Sequence, residues 1–234
     1  MSESSAPPTA SSLQIMRALL AKDWRLFRAP MIALIVIGLW RYLIWLTPMF
    51  GMGLRDHLSN SLLDWQIGAC DPTALFAAVF GGIAIAGERS NGAADFLAVL
   101  PITRGQIIFS KWMVSAVMVG ACMFLHFLLA YSFQSSSNIG QLGPGFWARS
   151  AVVWIGFTTS FFGIAWLLST FTRSGPISTC VSIGLTIAIF FQEEISDVPP
   201  DVWAGCCRLA LPPLSIGLAS LIVGTLYYLR RVAP

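Results

Sequence analysis

The amino-acid sequence predicts an all-α, polytopic membrane protein. The expected plan is six transmembrane helices, an N-terminal amphipathic helix at the interface and one short cytoplasmic helix. Three observations predict it. Composition comes first: of 234 residues, 56% are hydrophobic and 11% charged, with a mean hydropathy of +0.74. A soluble domain carries roughly 25% charged residues. Second, apolar segments recur at nearly the ~20 residues that a helix needs to cross a ~30 Å hydrocarbon core. Third, Lys and Arg crowd one set of alternate loops.

Residues 1–11 are rich in Ser, Pro and Ala and are expected to form a disordered tail. They lack the basic start and apolar stretch of a signal peptide, so the first hydrophobic segment is expected to be a retained anchor. Residues 12–234 are expected to form a single transmembrane domain, because no polar stretch is long enough to build a second, soluble one. Ser12 to Arg28 reads as an amphipathic helix. Met16, Leu20, Trp24 and Phe27 form one stripe at helical spacing, with Gln14, Arg17, Lys22, Arg25 and Arg28 opposite. Such a basic helix suits a leaflet surface, and Ala29-Pro30 is expected to end it.

The spans follow at about Met31–Phe50, Pro72–Gly87, Gln106–Phe133, Trp147–Phe171, Pro176–Phe191 and Leu209–Leu229. With the N-terminus inside, Arg17, Lys22, Arg25, Arg28, Arg89, Arg104, Lys111, Arg173, Arg230 and Arg231 face the cytoplasm. Only Arg55, Arg149 and Arg208 face out. Both termini are then cytoplasmic, in an inner (cytoplasmic) membrane. The last external stretch, Glu193 to Pro213, holds Pro199-Pro200, Val202-Trp203-Ala204 and Pro212-Pro213. It reads as a hairpin dipping into the outer leaflet, with an ordinary surface loop as the alternative.

The segment between the second and third spans is the most informative. Glu88 is the first acid after a purely apolar span and marks its boundary. Asn91-Gly92 is a break. Ala93 to Leu100 is helix-compatible, with Phe96, Leu97 and Leu100 on one side, and Pro101 stops it. Thr103 is placed to cap the next helix, with Gln106 at the capping-box position. The product is a short helix, punctuated at both ends, across the cytoplasmic mouth.

Here the chain resembles the permeases of ABC-2 type transporters. Glu88, Gly92, Asp95-Phe96-Leu97, Leu100-Pro101, Arg104 and Lys111 stand in that family's order. Ala93 replaces a frequent Thr, and Asp95 a usual Glu. The resemblance implies a dimer of permease subunits, homo- or heteromeric, each receiving a separate ABC ATPase on its cytoplasmic side. It implies that the short helix is the coupling helix seated in that ATPase, with Glu88, Gly92, Asp95, Phe96, Leu97, Leu100, Pro101 and Arg104 as ATPase-coupling residues. The sequence has no GxxxxGK[ST] loop, so ATP is expected to be bound by the partner and no cofactor by this chain. An ATPase-independent secondary transporter or a membrane accessory protein is the alternative.

Arg41 lies near the middle of the first span with no carboxylate at matching depth. It either lines a polar pathway or snorkels outward beside Trp40, Tyr42 and Trp45, and snorkelling is favoured. His126, in the third span, is read as an interhelical hydrogen-bonding group in preference to a proton relay. Ser178, Thr179, Ser182 and Thr186 either line a dimer seam or bond back to their own helix. Cys122 and Cys180 read as small buried hydrophobes. A disulfide between Cys70 and Cys206 or Cys207 is geometrically open. No HExxH, GxSxG or intramembrane acid pair is present, so no catalytic or metal site is expected and the chain is not read as an enzyme. No basic cluster suggests nucleic acid; lipids are the expected surroundings.

Overall fold

A computed structural model describes residues 12–46, 72–90, 102–136, 144–192 and 203–231. Within these residues the chain is all helical, with six helices and no strand: α1 (Ser12–Leu46), α2 (Pro72–Ser90), α3 (Arg104–Ser136), α4 (Pro144–Phe171), α5 (Gly175–Gln192) and α6 (Trp203–Arg231). The last five each contain one of the apolar segments whole, and α1 contains the first as far as Leu46, where the described residues stop. By length and hydropathy, three stretches can cross a membrane: Arg104–Leu125, Ala148–Phe171 and Cys207–Arg230. Gly175–Ala188 is a shorter apolar helix.

The helices alternate in direction. Leu19 and Ile107 share a cluster, and Asp23 meets Ser110, so α1 and α3 run parallel. Gly81 lies against Phe162 and Arg89 reaches Thr170, so α2 parallels α4. Gly156 faces Ala210 and Gly163 faces Gly217, so α4 parallels α6. Ala78 meets Thr179 while Gly82 meets Gly175, so α5 runs against α2. Arg104, at the start of α3, reaches Leu229 near the end of α6. The N-terminal part of α1, the starts of α3 and α5, and the ends of α2, α4 and α6 therefore gather at one end of the bundle.

The central helix is α2, which packs against α1, α3, α4 and α5. Its composition permits this. Ala74, Ala77, Ala78, Ala84 and Ala86 are buried, and a Cβ at Gly81 would lie 2.6 Å from the Phe162 carbonyl oxygen. Small residues let helix backbones approach closely on every side. α2 stands out less as a span because it is only 19 residues long and its last turn carries Glu88 and Arg89.

Three expectations are corrected. First, α1 is continuous from Ser12 to Leu46 and contains Pro30. A proline inside a helix costs about 3 kcal/mol. Burial of Phe27, edge-on to Phe80 at 5.5 Å, with Met31 against the same core, offsets that cost. The helix rises about 52 Å at ~1.5 Å per residue, far more than a hydrocarbon core, so its first part projects beyond one. Its buried stripe is Leu19, Asp23 and Phe27, whereas Trp24 is 46% exposed. Residues Ser12 to Arg28 thus pack against α2 and α3 as the first part of one continuous helix.

Second, residues 203–213 are helical and continuous with the rest of α6, through Pro212 and Pro213. Close packing of Ala210 on Gly156 holds this part of the helix beside α4. Residues 193–202 lie outside the described set. Third, Cys180 is exposed on α5, although Cys122 is buried as expected. Cys207 is a free, exposed thiol, and Cys70 lies outside the described residues.

The hydroxyls of α5 turn inward. Ser178, Thr179, Ser182 and Thr186 are all buried within this chain, so they line no seam with a second subunit. Thr179 Oγ1 donates to Gly175 O within α5 (3.0 Å) and lies 3.4 Å from Ala78 O. Ser182 Oγ donates to Phe161 O at 2.9 Å. The start of α3 matches expectation: Thr103 N–H donates to Gln106 Oε1 at 3.0 Å, and Gln106 N–H to Thr103 Oγ1 at 3.3 Å. That is a reciprocal capping box.

Candidate functional site

Four charged side chains meet at the end of the bundle where the α2–α3 connection begins and ends. Two come from neighbouring positions on α1, Lys22 and Asp23. Glu88 comes from the last turn of α2, and Lys111 from the second turn of α3. Lys111 Nζ donates to Glu88 Oε1 at 2.9 Å and to the Ala84 carbonyl at 2.5 Å. It also lies 3.6 Å from Asp23 Oδ1. Lys22 Nζ donates to the same Glu88 oxygen and lies 3.6 Å from Asp23. Ser110 Oγ donates to Asp23 Oδ2 at 2.5 Å.

Asp23 and Lys111 are fully buried and Glu88 is 5% exposed; Lys22 is 36% exposed. An isolated buried ion costs several kcal/mol, which only a well-placed partner can offset. Two carboxylates against two ammonium groups balance exactly in sign. Glu88 lies just past the boundary of its span at Gly87. Burial pushes its carboxyl up, but Lys111 and Lys22 override this and hold it below the usual carboxylate value. The cluster ties three helices together through groups that are worth little unless all are present.

Two arginines extend this clamp to the remaining helices. Arg89 donates to Thr170 O at 2.6 Å, and Arg104 donates to Leu229 O at 3.0 Å. Both acceptors belong to the last turn of a helix, α4 and α6 respectively, where carbonyls lack intrahelical donors and the helix dipole is negative. The connection between α2 and α3 is therefore held on both flanks: Glu88 and Arg89 before it, Thr103, Arg104 and Lys111 after it. Five of the six helices contribute.

Of the residues expected to act in coupling, Glu88 and Arg104 come to this end of the bundle. They brace the connection through different partners, not through each other. Gly92, Asp95, Phe96, Leu97, Leu100 and Pro101 lie outside the described residues. Arg41 and His126 fall within α1 and α3, and their side chains are outside the described set.

Asp23 was not singled out in the sequence, and Lys111, assigned there to the cytoplasmic side, is buried within the cluster. A signal for Asp23 exists in the sequence. It sits four residues after Leu19 and four before Phe27, so it interrupts an apolar stripe. A carboxylate in that position needs a cation. Among the described residues, no group of three His, Cys, Asp or Glu side chains is arranged to hold a metal ion.

A family model described as "ABC-2 family transporter protein" matches residues 66–196, more than half of the chain. The match runs from before α2 through α5 and includes Glu88, Arg89, Arg104, Lys111 and Thr170. No curated protein and no solved structure matches the chain.

Proposed function

The chain belongs to the ABC-2 transporter family, a family of multi-pass membrane transport permeases, and from that premise we propose that it is the transmembrane subunit of an ATP-driven exporter. All six helices cross the membrane, and both termini face the cytoplasm. A second permease subunit completes the pathway, and a separate ABC ATPase docks on each copy.

The observation that supports this reading is the anchorage of the two helix ends that flank residues 91–101. A connection meant only to join two helices needs no such flanks. One meant to receive force must be stiffly joined to what it moves. Here the incoming flank is fixed to α1 and α3 by Glu88 and to α4 by Arg89. The outgoing flank is fixed to α6 by Arg104. A displacement of Ala93–Leu100 by the ATPase would pass into several helices at once, α3 being the longest lever among those it adjoins.

The basic residues at this end support the orientation. Beyond the balanced cluster of Lys22, Asp23, Glu88 and Lys111, this end of the bundle carries Arg89, Arg104, Arg173 and Arg230, as a cytoplasmic face would. The sequence contains no phosphate-binding loop, so nucleotide chemistry is assigned to the partner.

The test is replacement of Asp95 by Lys together with Phe96 by Ala. Membrane insertion and thermal stability are expected to stay at wild-type values. Co-purification of the ATPase and transport-stimulated ATP hydrolysis are expected to fall by at least about tenfold, as for an interface hot spot worth ~1.4 kcal/mol or more. Undiminished ATPase binding and transport would remove the coupling assignment. Labelling of a cysteine introduced at position 90 from the outside would overturn the orientation.

A further inference from the structure

We propose that the crevice between α3, α4 and α6 is a binding site for an uncharged, single-chain amphiphile that enters sideways from the hydrocarbon. Its volume is about 290 Å³, at the small end of the ~300–1,000 Å³ that small-molecule sites occupy. Trp112 and Ile155, both exposed, line it beside Gly120 of α3, while Leu221 contributes from α6. All of these residues lie inside the three stretches long and apolar enough to cross a membrane. The mouth therefore opens toward lipid tails, and a charged ligand is disfavoured at that depth.

Two hydroxyls give the site its chemistry. Ser115 is fully buried and Thr158 is 5% exposed, both line the crevice, and neither Oγ has a hydrogen-bond partner among the described residues. Several hydroxyls in these helices fold back on the preceding turn: Ser110 lies 3.0 Å from Ile107 O, Ser169 donates to Trp166 O and Thr170 to Leu167 O. Ser160 and Thr225 are unpartnered as well, but they do not line the crevice. Ser115 and Thr158 decline that option, and a buried hydroxyl left unpaired costs about 1–3 kcal/mol. A ligand with an apolar chain and one hydroxyl or carbonyl oxygen would fill the space and satisfy them. The small volume favours one chain over two.

Gly120 makes the site testable without damage to the fold. A Cβ built there meets nothing within 4 Å. Gly120→Leu should therefore occupy the crevice and leave helix packing intact. The site rests on the membrane placement of α3, α4 and α6 and not on ATPase coupling, so it is measured on the permease alone.

Purified protein in nanodiscs would be exposed to a diazirine-bearing fatty alcohol, and separately to a diazirine-bearing diacyl phospholipid, and the labelled peptides mapped. The fatty alcohol is expected to label peptides containing Trp112 and Thr158 in preference to other exposed helix faces. Labelling should drop at least about fivefold in Gly120→Leu. It should fall several-fold in the combined Ser115→Ala, Thr158→Val variant, which keeps the volume and removes the hydroxyls. Labelling spread evenly over all lipid-facing helices, or unchanged in Gly120→Leu, would overturn the proposal. Equal labelling by the phospholipid would reassign the crevice to ordinary bilayer lipid and also reject it. Loss of subunit association in Gly120→Leu, with labelling unchanged, would make the crevice an interface and reject it as well.

Discussion

Two regions of the helix assembly are built on opposite principles. The seam between α4 and α6 is held by the absence of side chains. Gly156, Gly163 and Gly224 bring backbone against backbone or against Trp166 and Leu167, and a Cβ at Gly156 would sit 2.7 Å from the Ala210 carbonyl oxygen. The cluster of Lys22, Asp23, Glu88 and Lys111 is held by charge, with a fully buried ion pair at its centre. Close packing has one arrangement and resists any other. An ion cluster holds through its pairs and weakens when one partner is removed. Steric fit therefore fixes α4 on α6, whereas paired charge fixes α1, α2 and α3 to one another.

The seam should be the more fragile under substitution. Gly163→Leu places a branched side chain against the Gly217 backbone, where no rotamer relieves the clash. The expected loss exceeds about 4 kcal/mol, in the range reserved for severe core overpacking. Size-exclusion profiles of detergent-solubilised protein should show no monodisperse peak. A well-folded Gly163→Leu protein would show that α4 and α6 are not rigidly joined.

The cluster should break less completely and should be repairable. Lys111→Met leaves Glu88 and Asp23 buried with Lys22 as their only cation, at an expected cost of about 3–5 kcal/mol. In a chain of this length that lowers Tm by roughly 6–20 °C at ~2–4 °C per kcal/mol. Adding Glu88→Gln restores the charge balance and should recover most of the loss, so the double variant would be more stable than the sum of the two singles. Simple additivity in thermal unfolding would mean that the two residues act independently, against the 2.9 Å contact between them.

The same contrast explains what could be seen in the sequence. Each helix was legible because burial in lipid demands long apolar runs, and the Thr103–Gln106 capping box was legible because its partners are three residues apart. The seam glycines and the charge cluster were not, since each depends on contacts between distant positions. Lys22 and Glu88 are separated by 66 positions, and Asp23 and Ser110 by 87. Spacing puts Asp23 on the same stripe as Leu19 and Phe27, but only the structure shows that Ser110 and Lys111 answer it there. Pro30 misled for a related reason: local propensity favours a break, and tertiary packing of Phe27 and Met31 overrides it.

The smallest expected effect tests the cluster through its protons. Glu88 is held below its ordinary value of 4.5 despite burial, because Lys111 and Lys22 favour its charged form. A carboxyl whose folded value is depressed adds stability that is fully present above the unfolded value. That stability is lost as pH falls through the folded value. Wild-type protein in nanodiscs should therefore keep a constant Tm from about pH 7 to about pH 5 and decline below about pH 4.5. Only the upper part of the titration lies in an accessible range, so the decline should be shallower than the Lys111→Met loss. Glu88→Gln has no proton to gain at this position, and its Tm, lower at neutral pH, should fall less steeply on acidification. A wild-type Tm that rises below pH 4.5, or a Glu88→Gln curve parallel to wild type throughout, would mean that Glu88 is not the group on which Lys111 depends.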